Sequence, residues 1–168
     1  MTETSHHAPS RPLYIFDLDD TLAITSHRQH LISGASSGRD KKNWHAYFAE
    51  CEGDTPNHAV VQTLKQLRQS GAEAWIWSGR MGSVRAQTVR WLVANAGFDC
   101  ADLDPSGVLR MREVDDWTAD HVLKQRWLDE MMPDDRARLI GVFDDRDRVV
   151  DMYRRRGIAC FQVNYGKF

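Results

Sequence analysis

The stretch "YIFDLDDTLA", residues 14–23, closes an apolar run with acids: Asp17, Asp19 and Asp20 fall within four residues and Thr21 follows. An isolated carboxylate is very costly to bury, so acids crowded at the end of a strand must be solvated, paired or holding a cation. The same pattern, an apolar run ending in polar residues, recurs twice. "AEAWIWS" passes into Ser78, Gly79 and Arg80, and "LIGVFDD" ends in Asp144 and Asp145. Lys124 lies in a helical stretch between the last two. If the strands are parallel, these ends converge on one edge. An anionic substrate there would meet a hydroxyl, a Lys and backbone N–H groups, while clustered carboxylates would hold a hard cation through oxygen. That is equipment for phosphoryl transfer: a nucleophile, a metal to neutralise charge, and fixed donors for the phosphoryl oxygens.

The elements that must position these residues alternate strand and helix. "PLYIFD" reads as a first strand. "NHAVVQTLKQLRQSG" puts Val60, Leu64 and Leu67 on one helical face, with Thr55 and Pro56 as start signals and Gly71 as the stop. After the strand "AEAWIWS", "SVRAQTVRWLVANAG" turns Val84, Thr88, Trp91 and Leu92 inward and ends at Gly97. "VLRM" is a short strand. "TADHVLKQRWLDEMM" is a helix capped by Thr118 with Leu123, Trp127 and Met131 along one stripe. The strand "RLIGVFDD", the helix "RDRVVDMYRRRG" closed by Gly157, and the strand "IACFQV" complete the series. Short apolar strands joined by helices predict an α/β fold: an open, parallel, Rossmann-like sheet with helices on both faces. Residues 24–54 break the alternation with a Gly/Ser loop, "SGASSG", and a predicted helix, "DKKNWHAYFAEC". An insertion after the first strand sits above the carboxyl ends of the strands, where such sheets bind ligands, so it reads as a small lid. The expected organisation is a flexible tail over residues 1–12 and a single domain over 13–168.

The 168 residues suffice for one domain with a proper core. A net charge of -2 argues against a protein that coats nucleic acid or lies on an anionic membrane, though not against a local basic pocket. Cys51, Cys100 and Cys160 are odd in number and far apart, which reads as reduced thiols in a cytoplasmic protein. No apolar run is long enough to span a membrane, the polar start lacks a signal-peptide core, and nothing implies a stable protein partner.

As an ordered set, "DLDDT", "WSGR", Lys124 and "FDD" resemble the four motifs of the haloacid dehalogenase-like (HAD-like) phosphatases, from about residue 13 to the end of the chain. The carboxyl-terminal run "IGVFDDRDRVVDMYRRRGIACFQVNYGKF" and the segment "MREVDDWTADHVLK" resemble more closely the 3'-phosphatase domain of phage-type polynucleotide kinase/phosphatases. The resemblance implies that Asp17 attacks phosphorus and forms an aspartyl-phosphate. Asp19 would protonate the leaving oxygen and then activate the water that cleaves the intermediate. Mg²⁺ would be held by the Asp17 carboxylate, the Asp19 main-chain carbonyl and Asp145, with Asp144 behind them. Ser78, Gly79 and Lys124 would bind the phosphoryl oxygens, Arg80 and Arg28 would contact substrate phosphate, and Asp120 would orient Lys124 or Arg80. Those relatives carry a kinase domain with a P-loop. Here "GASSGRDKK" lacks G-K-[ST] at the required spacing, and kinase activity is not expected.

Ordinary alternatives exist for single residues. Ser78 alone would be a helix cap, Lys124 a solvated lysine, and Asp144 and Asp145 turn residues. His27 and His30 stand at helix spacing, but with no third ligand nearby they read as surface histidines. Trp75 and Trp77 read as core. Trp44, Tyr47 and Phe48 beside "RDKK" suit either stacking on a base or packing of the lid helix onto the domain. The expected substrates are phosphorylated nucleic-acid ends. The neighbouring reading is a 5'- or 3'-nucleotidase or small-metabolite phosphatase, and a different class is a non-catalytic binding module, which would need neither nucleophile nor general acid.

Overall fold

Ile15 and Phe16 illustrate how the sheet is built: adjacent residues of one strand point to opposite faces, and both are fully buried. In the computed structural model, which describes residues 11–33, 43–103 and 107–166, the chain runs through β1 (Leu13–Phe16), β2 (Ala23–Ile24), α1 (His30–Ser33), α2 (Trp44–Ala49), β3 (Thr55–Pro56) and α3 (His58–Gln69). It continues through β4 (Glu73–Met81), α4 (Arg85–Ala96), α5 (Cys100–Leu103), β5 (Leu109–Arg112) and α6 (Asp120–Asp129). It closes with α7 (Pro133–Arg138), β6 (Leu139–Arg146), α8 (Asp147–Arg155) and β7 (Cys160–Gly166). Five strands pair in parallel in the order β5-β4-β1-β6-β7. The chain builds outward from β1 through β4 to β5, then returns to the other side of β1 for β6 and β7. The crevice beyond the carboxyl ends of β1 and β6 is therefore the topological switch point, the place where open α/β sheets bind ligands.

Each face of the sheet has its own core. Phe16 and Ile76 pack with Val60, Leu64, Trp91 and Leu92 from α3 and α4. Ile15 and Trp77 pack with Leu123, Trp127, Val150 and Tyr153 from α6 and α8. Trp77 meets Trp127 edge to face at 5.8 Å, a geometry worth about 0.5–1.5 kcal/mol beyond burial. The predicted inward face of α4 is the buried one, since Val84, Thr88, Trp91 and Leu92 are all buried. Gly97, left-handed at φ 73°, ends that helix, a conformation that a Cβ would disfavour.

Four details differ from the expectations. The predicted Thr118 cap is absent: Ala119 precedes α6 and no side chain caps it. The Thr118 N–H is instead bound by Asp116 (2.8 Å) and its carbonyl by Arg112 (2.5 Å). The second strand continues past Ser78 to Met81, because after a register shift Met81 pairs with Arg112 of β5. Order begins before residue 13, since the Pro12 carbonyl accepts the Glu73 N–H at 2.8 Å; the rest of the predicted tail lies outside the described residues. At the lid, the antiparallel pair of β2 and β3 joins its two ends, with α1 and α2 between them; most of the "SGASSG" loop lies outside the described residues. Among the described residues, no helix is long and apolar enough to cross a membrane.

Candidate active site

Parallel pairing sets Phe16 level with Phe143, so the residues that follow them are neighbours: the Asp17 N–H donates to the Phe143 carbonyl at 2.9 Å. The turn beyond Asp17 is latched by Asp20. That residue takes a left-handed conformation (φ 58°), which Asp tolerates better than most, and its carboxylate accepts from the Thr25 N–H (3.1 Å) and hydroxyl (2.7 Å). Of the three acids in the opening motif, Asp20 is therefore committed to the turn, while Asp17 and Asp19 face the crevice.

Lys124 comes from α6 and is 1% exposed. Its Nζ lies 2.7 Å from Asp17 Oδ1, 2.8 Å from Asp144 Oδ2 and 3.4 Å from Asp120 Oδ2. Burial pushes the ammonium's pKa down, but the three carboxylates outweigh it and hold the pKa well above its ordinary value, so Lys124 is charged. Burial pushes Asp17 well up despite that partner. Asp145 is pushed up to about 7 by burial and by Asp144. Asp144 is already bonded by Lys124 (2.8 Å) and the Arg146 N–H (3.0 Å), whereas among the described residues the Asp145 carboxylate has a single long hydrogen bond, from the Thr21 hydroxyl at 3.4 Å. Asp17, Asp144 and Asp145 each offer an oxygen within 4.8 Å of the others, and all three are buried. A buried cluster richer in carboxylates than in cations fits a hard divalent ion.

Asp19 has a different environment. Its Oδ1 accepts from Arg28 Nη2 and Arg80 Nε, each at 2.7 Å. Burial pushes Asp19 up, and the two guanidiniums more than offset it, leaving its pKa below the ordinary value. Behind them lies Asp54, which the sequence reading missed. It accepts from Arg28 Nε and Nη2 (2.7 Å each) and from Arg80 Nη2 (2.5 Å).

Arg28 and Arg80 were expected to contact substrate phosphate. Both are fully buried and do not line the pocket. The Arg28 donors are spent on Asp54, Asp19 and the Tyr47 carbonyl. A guanidinium can lie in a core only when carboxylates and carbonyls satisfy it, and here Asp19 and Asp54 do so for both arginines. Arg28 and Arg80 hold Asp19 in place. Arg28→Ala is therefore expected to lower turnover of oligonucleotide and mononucleotide substrates alike, on the order of 10–100-fold, as loss of a fixed geometry does. Steady-state rates on both substrates check this; a loss confined to oligonucleotides would return Arg28 to the substrate.

Ser78 is buried and its Oγ accepts the Arg80 N–H at 3.2 Å. Gly79 is there for space: a Cβ would come within 2.5 Å of Asp120 Oδ1. Its carbonyl accepts from Arg112 Nε at 2.8 Å. A pocket of about 240 Å³ opens over Asp17, Asp19, Gly79 and Asp120, with the guanidinium residues Arg112 and Arg146 among its lining. Neither was among the expected site residues, although each lies in a motif-bearing stretch, "MREVDD" and "FDDR". Trp44, Tyr47 and Phe48 also line the pocket, but Tyr47 and Phe48 are buried. Trp44 stacks on Phe48 with ring centres 5.8 Å apart, so packing of the lid helix accounts for this trio. His27 lies 3.5 Å from Asp54, and neither His27 nor His30 joins the acid cluster.

The arrangement joins a buried nucleophile candidate, an ammonium, a metal-suited acid cluster and a second carboxylate in a different electrostatic setting. A family model for the phosphatase domain of polynucleotide kinase PNKP matches residues 11–168. The chain belongs to this family. A chain of the Pnkp1/Rnl/Hen1 RNA repair complex is 32% identical to it, with a TM-score of 0.70 over 99% of this chain and 48% of that one. The protein thus spans about half the length of that relative. The class C acid phosphatase from Bacillus anthracis with tungstate bound is 12% identical, with a TM-score of 0.61 over 94% of this chain and 68% of that one, a likeness of fold alone. The chain is thus a HAD-like phosphatase domain.

Proposed function

We propose that the protein removes 3'-phosphates from nucleic-acid ends, as a Mg²⁺-dependent phosphomonoester hydrolase working through an aspartyl-phosphate at Asp17. The observation that carries the reading is the pair Asp17 and Asp19, two carboxylates at one pocket in different surroundings: Asp17 against the Lys124 ammonium and within the acid cluster, Asp19 between the Arg28 and Arg80 guanidiniums; carboxylates so differently placed suit distinct roles in acid–base chemistry. An Asp17 oxygen attacks phosphorus, the bond to the 3' oxygen breaks, and that oxygen takes a proton from Asp19. Water then attacks the aspartyl-phosphate, gives its proton to Asp19 and releases inorganic phosphate. Arg28 and Arg80 hold the Asp19 pKa below its ordinary value. A phosphate anion bound beside it disfavours the carboxylate, which suits it to give a proton. Arg28 and Arg80 favour the carboxylate once the leaving group has gone, which suits it to take one.

Mg²⁺ would be held by Asp17, Asp145 and the Asp19 carbonyl, and would supply positive charge to the transferring oxygens. Asp145 is favoured over Asp144 as the direct ligand because the Asp144 oxygens are already committed to Lys124 and the Arg146 N–H. Asp145→Asn should accordingly raise the Mg²⁺ requirement more than Asp144→Asn, as a Mg²⁺ titration of activity would reveal. The reverse order would exchange their roles. Ser78, Gly79 and Lys124 are assigned to the phosphoryl oxygens, with Asp120 orienting Lys124.

The metal assignment has a second readout. In metal-free protein, Asp145 binds a proton up to about pH 7 when folded, and only to about pH 4 when unfolded. The folded state binds more protons in that window, so this group's contribution to stability is full below the window and is lost as pH rises through it. Thermal unfolding at a series of pH values should show a decline that Mg²⁺ flattens; a slope indifferent to Mg²⁺ would count against Asp145 as ligand.

The deciding assay measures phosphate release from 3'-phosphorylated oligonucleotides, 5'-phosphorylated oligonucleotides and each mononucleotide, with Mg²⁺, with a chelator, and with Ca²⁺, which should inhibit. Turnover of 3' ends that is lost with chelator is expected. Ready hydrolysis of mononucleotides with 3' ends ignored would replace the reading with a nucleotidase.

A further inference from the structure

One large aromatic residue at the pocket is not explained by packing. Trp117 lies between β5 and α6, lines the pocket together with Asp17 and Asp19, and is 57% exposed. Its surroundings are tightly tied. The Arg112 guanidinium donates to the Asp116 carbonyl (3.2 Å) and the Thr118 carbonyl (2.5 Å), the residues on either side of Trp117. The Asp116 carboxylate binds the Thr118 N–H (2.8 Å) and Arg126 (2.8 Å). Arg112 itself is anchored to the Gly79 carbonyl at 2.8 Å. An indole is thus presented to solvent on a backbone fixed to the same strand end that carries the catalytic crevice. Exposing so much apolar surface opposes folding, and holding it rigid is what a pre-organised contact for a flat ligand requires. From the lid side, the His45 ring meets Trp117 edge-on at 6.2 Å, which brings a second ring to the same rim.

We infer that Trp117 is the stacking platform for the nucleobase of the nucleotide whose phosphate is removed. The inference rests on the 3'-end reading above and adds the part of the substrate that reading leaves undefined. Stacking uses the face of the base, which all four bases have, so Trp117 confers preference for a base over no base rather than for one sequence. It is a binding residue, distant in role from the carboxylates that exchange protons.

The test compares a 3'-phosphorylated oligonucleotide with the same strand carrying an abasic sugar at its 3'-phosphorylated terminus, and with a nucleoside 3'-monophosphate. Wild-type protein should favour the base-bearing end over the abasic end by about tenfold in kcat/KM, chiefly through KM, the scale of one base–aromatic stack. Trp117→Ala should reduce that ratio to near one, and Trp117→Phe should largely restore it. The nucleoside monophosphate should lose affinity in Trp117→Ala as well, since it carries the same base; a loss confined to the polymer would move Trp117 to a neighbouring nucleotide and overturn the assignment. Equal use of both ends by wild-type protein, or a preference unchanged in Trp117→Ala, would also overturn it while leaving the 3'-phosphatase reading intact. Absence of turnover on every 3'-phosphorylated strand would remove that reading and this inference together.

Discussion

Asp17→Asn is expected to abolish turnover, by at least about 10⁴-fold, the scale seen when a nucleophile is deleted from an otherwise intact centre. The amide cannot attack phosphorus, so the covalent intermediate should vanish as well. Acid quench of a single turnover with labelled 3'-phosphate should trap label on the parent protein and none on the variant. The fold should survive, because burial already works against the Asp17 carboxylate and Lys124 keeps Asp144 and Asp120 within reach. Thermal unfolding at pH 8 should give a midpoint equal to or above the parent's. Full turnover, with deamidation excluded by mass spectrometry, would end the case for Asp17 as nucleophile.

Lys124→Met should be the most damaging single change to the molecule as a whole. It removes the ammonium that three buried acids share and leaves them facing one another across a nearly dry space. Deleting one partner of a buried ion pair typically costs about 3–5 kcal/mol, and turnover should be lost with it. The loss of stability should depend on pH. Asp17 and Asp144 have pKa values raised by burial even with Lys124 present, so without it they take up protons more readily and the penalty shrinks as pH falls. Urea unfolding at pH 8 and pH 5 would measure both quantities. A penalty under about 1 kcal/mol at pH 8 would mean that the ammonium is not what makes this acid cluster tolerable.

The parts of the site that were legible in the sequence are those that repeat a local pattern. Asp17, Ser78 and Asp144 each end an apolar run, and parallel strands bring such ends together. The inward face of α4 followed from spacing alone. Asp54 had no such signal: it ends no apolar run, and its partners Arg28 and Arg80 each lie 26 residues away. The same gap hid the partners of Arg28. An arginine in an insertion above the site looks like a hand for substrate until the acid that buries it is known. The strands β2 and β3 have two residues each, too short for any period to appear. Trp117 carried no signal either, since a single Trp among the polar residues of "EVDDWTAD" shows no period.

The strand order β5-β4-β1-β6-β7 also sets a timetable for synthesis on the ribosome. The strand carrying Asp17 is made first and finds β4 on one side, but its other edge stays open until β6 emerges, on the order of ten seconds later at usual elongation rates. Thr21 and Asp145, joined across the finished site, are 124 residues apart. Until β6 emerges the chain is an incomplete sheet with an unpaired strand edge, a state open to mispairing with other chains, and Asp144 and Asp145 have not yet joined Asp17. A nascent chain stalled before residue 139 would therefore lack two of the three clustered acids, and the cluster would be completed in one late step.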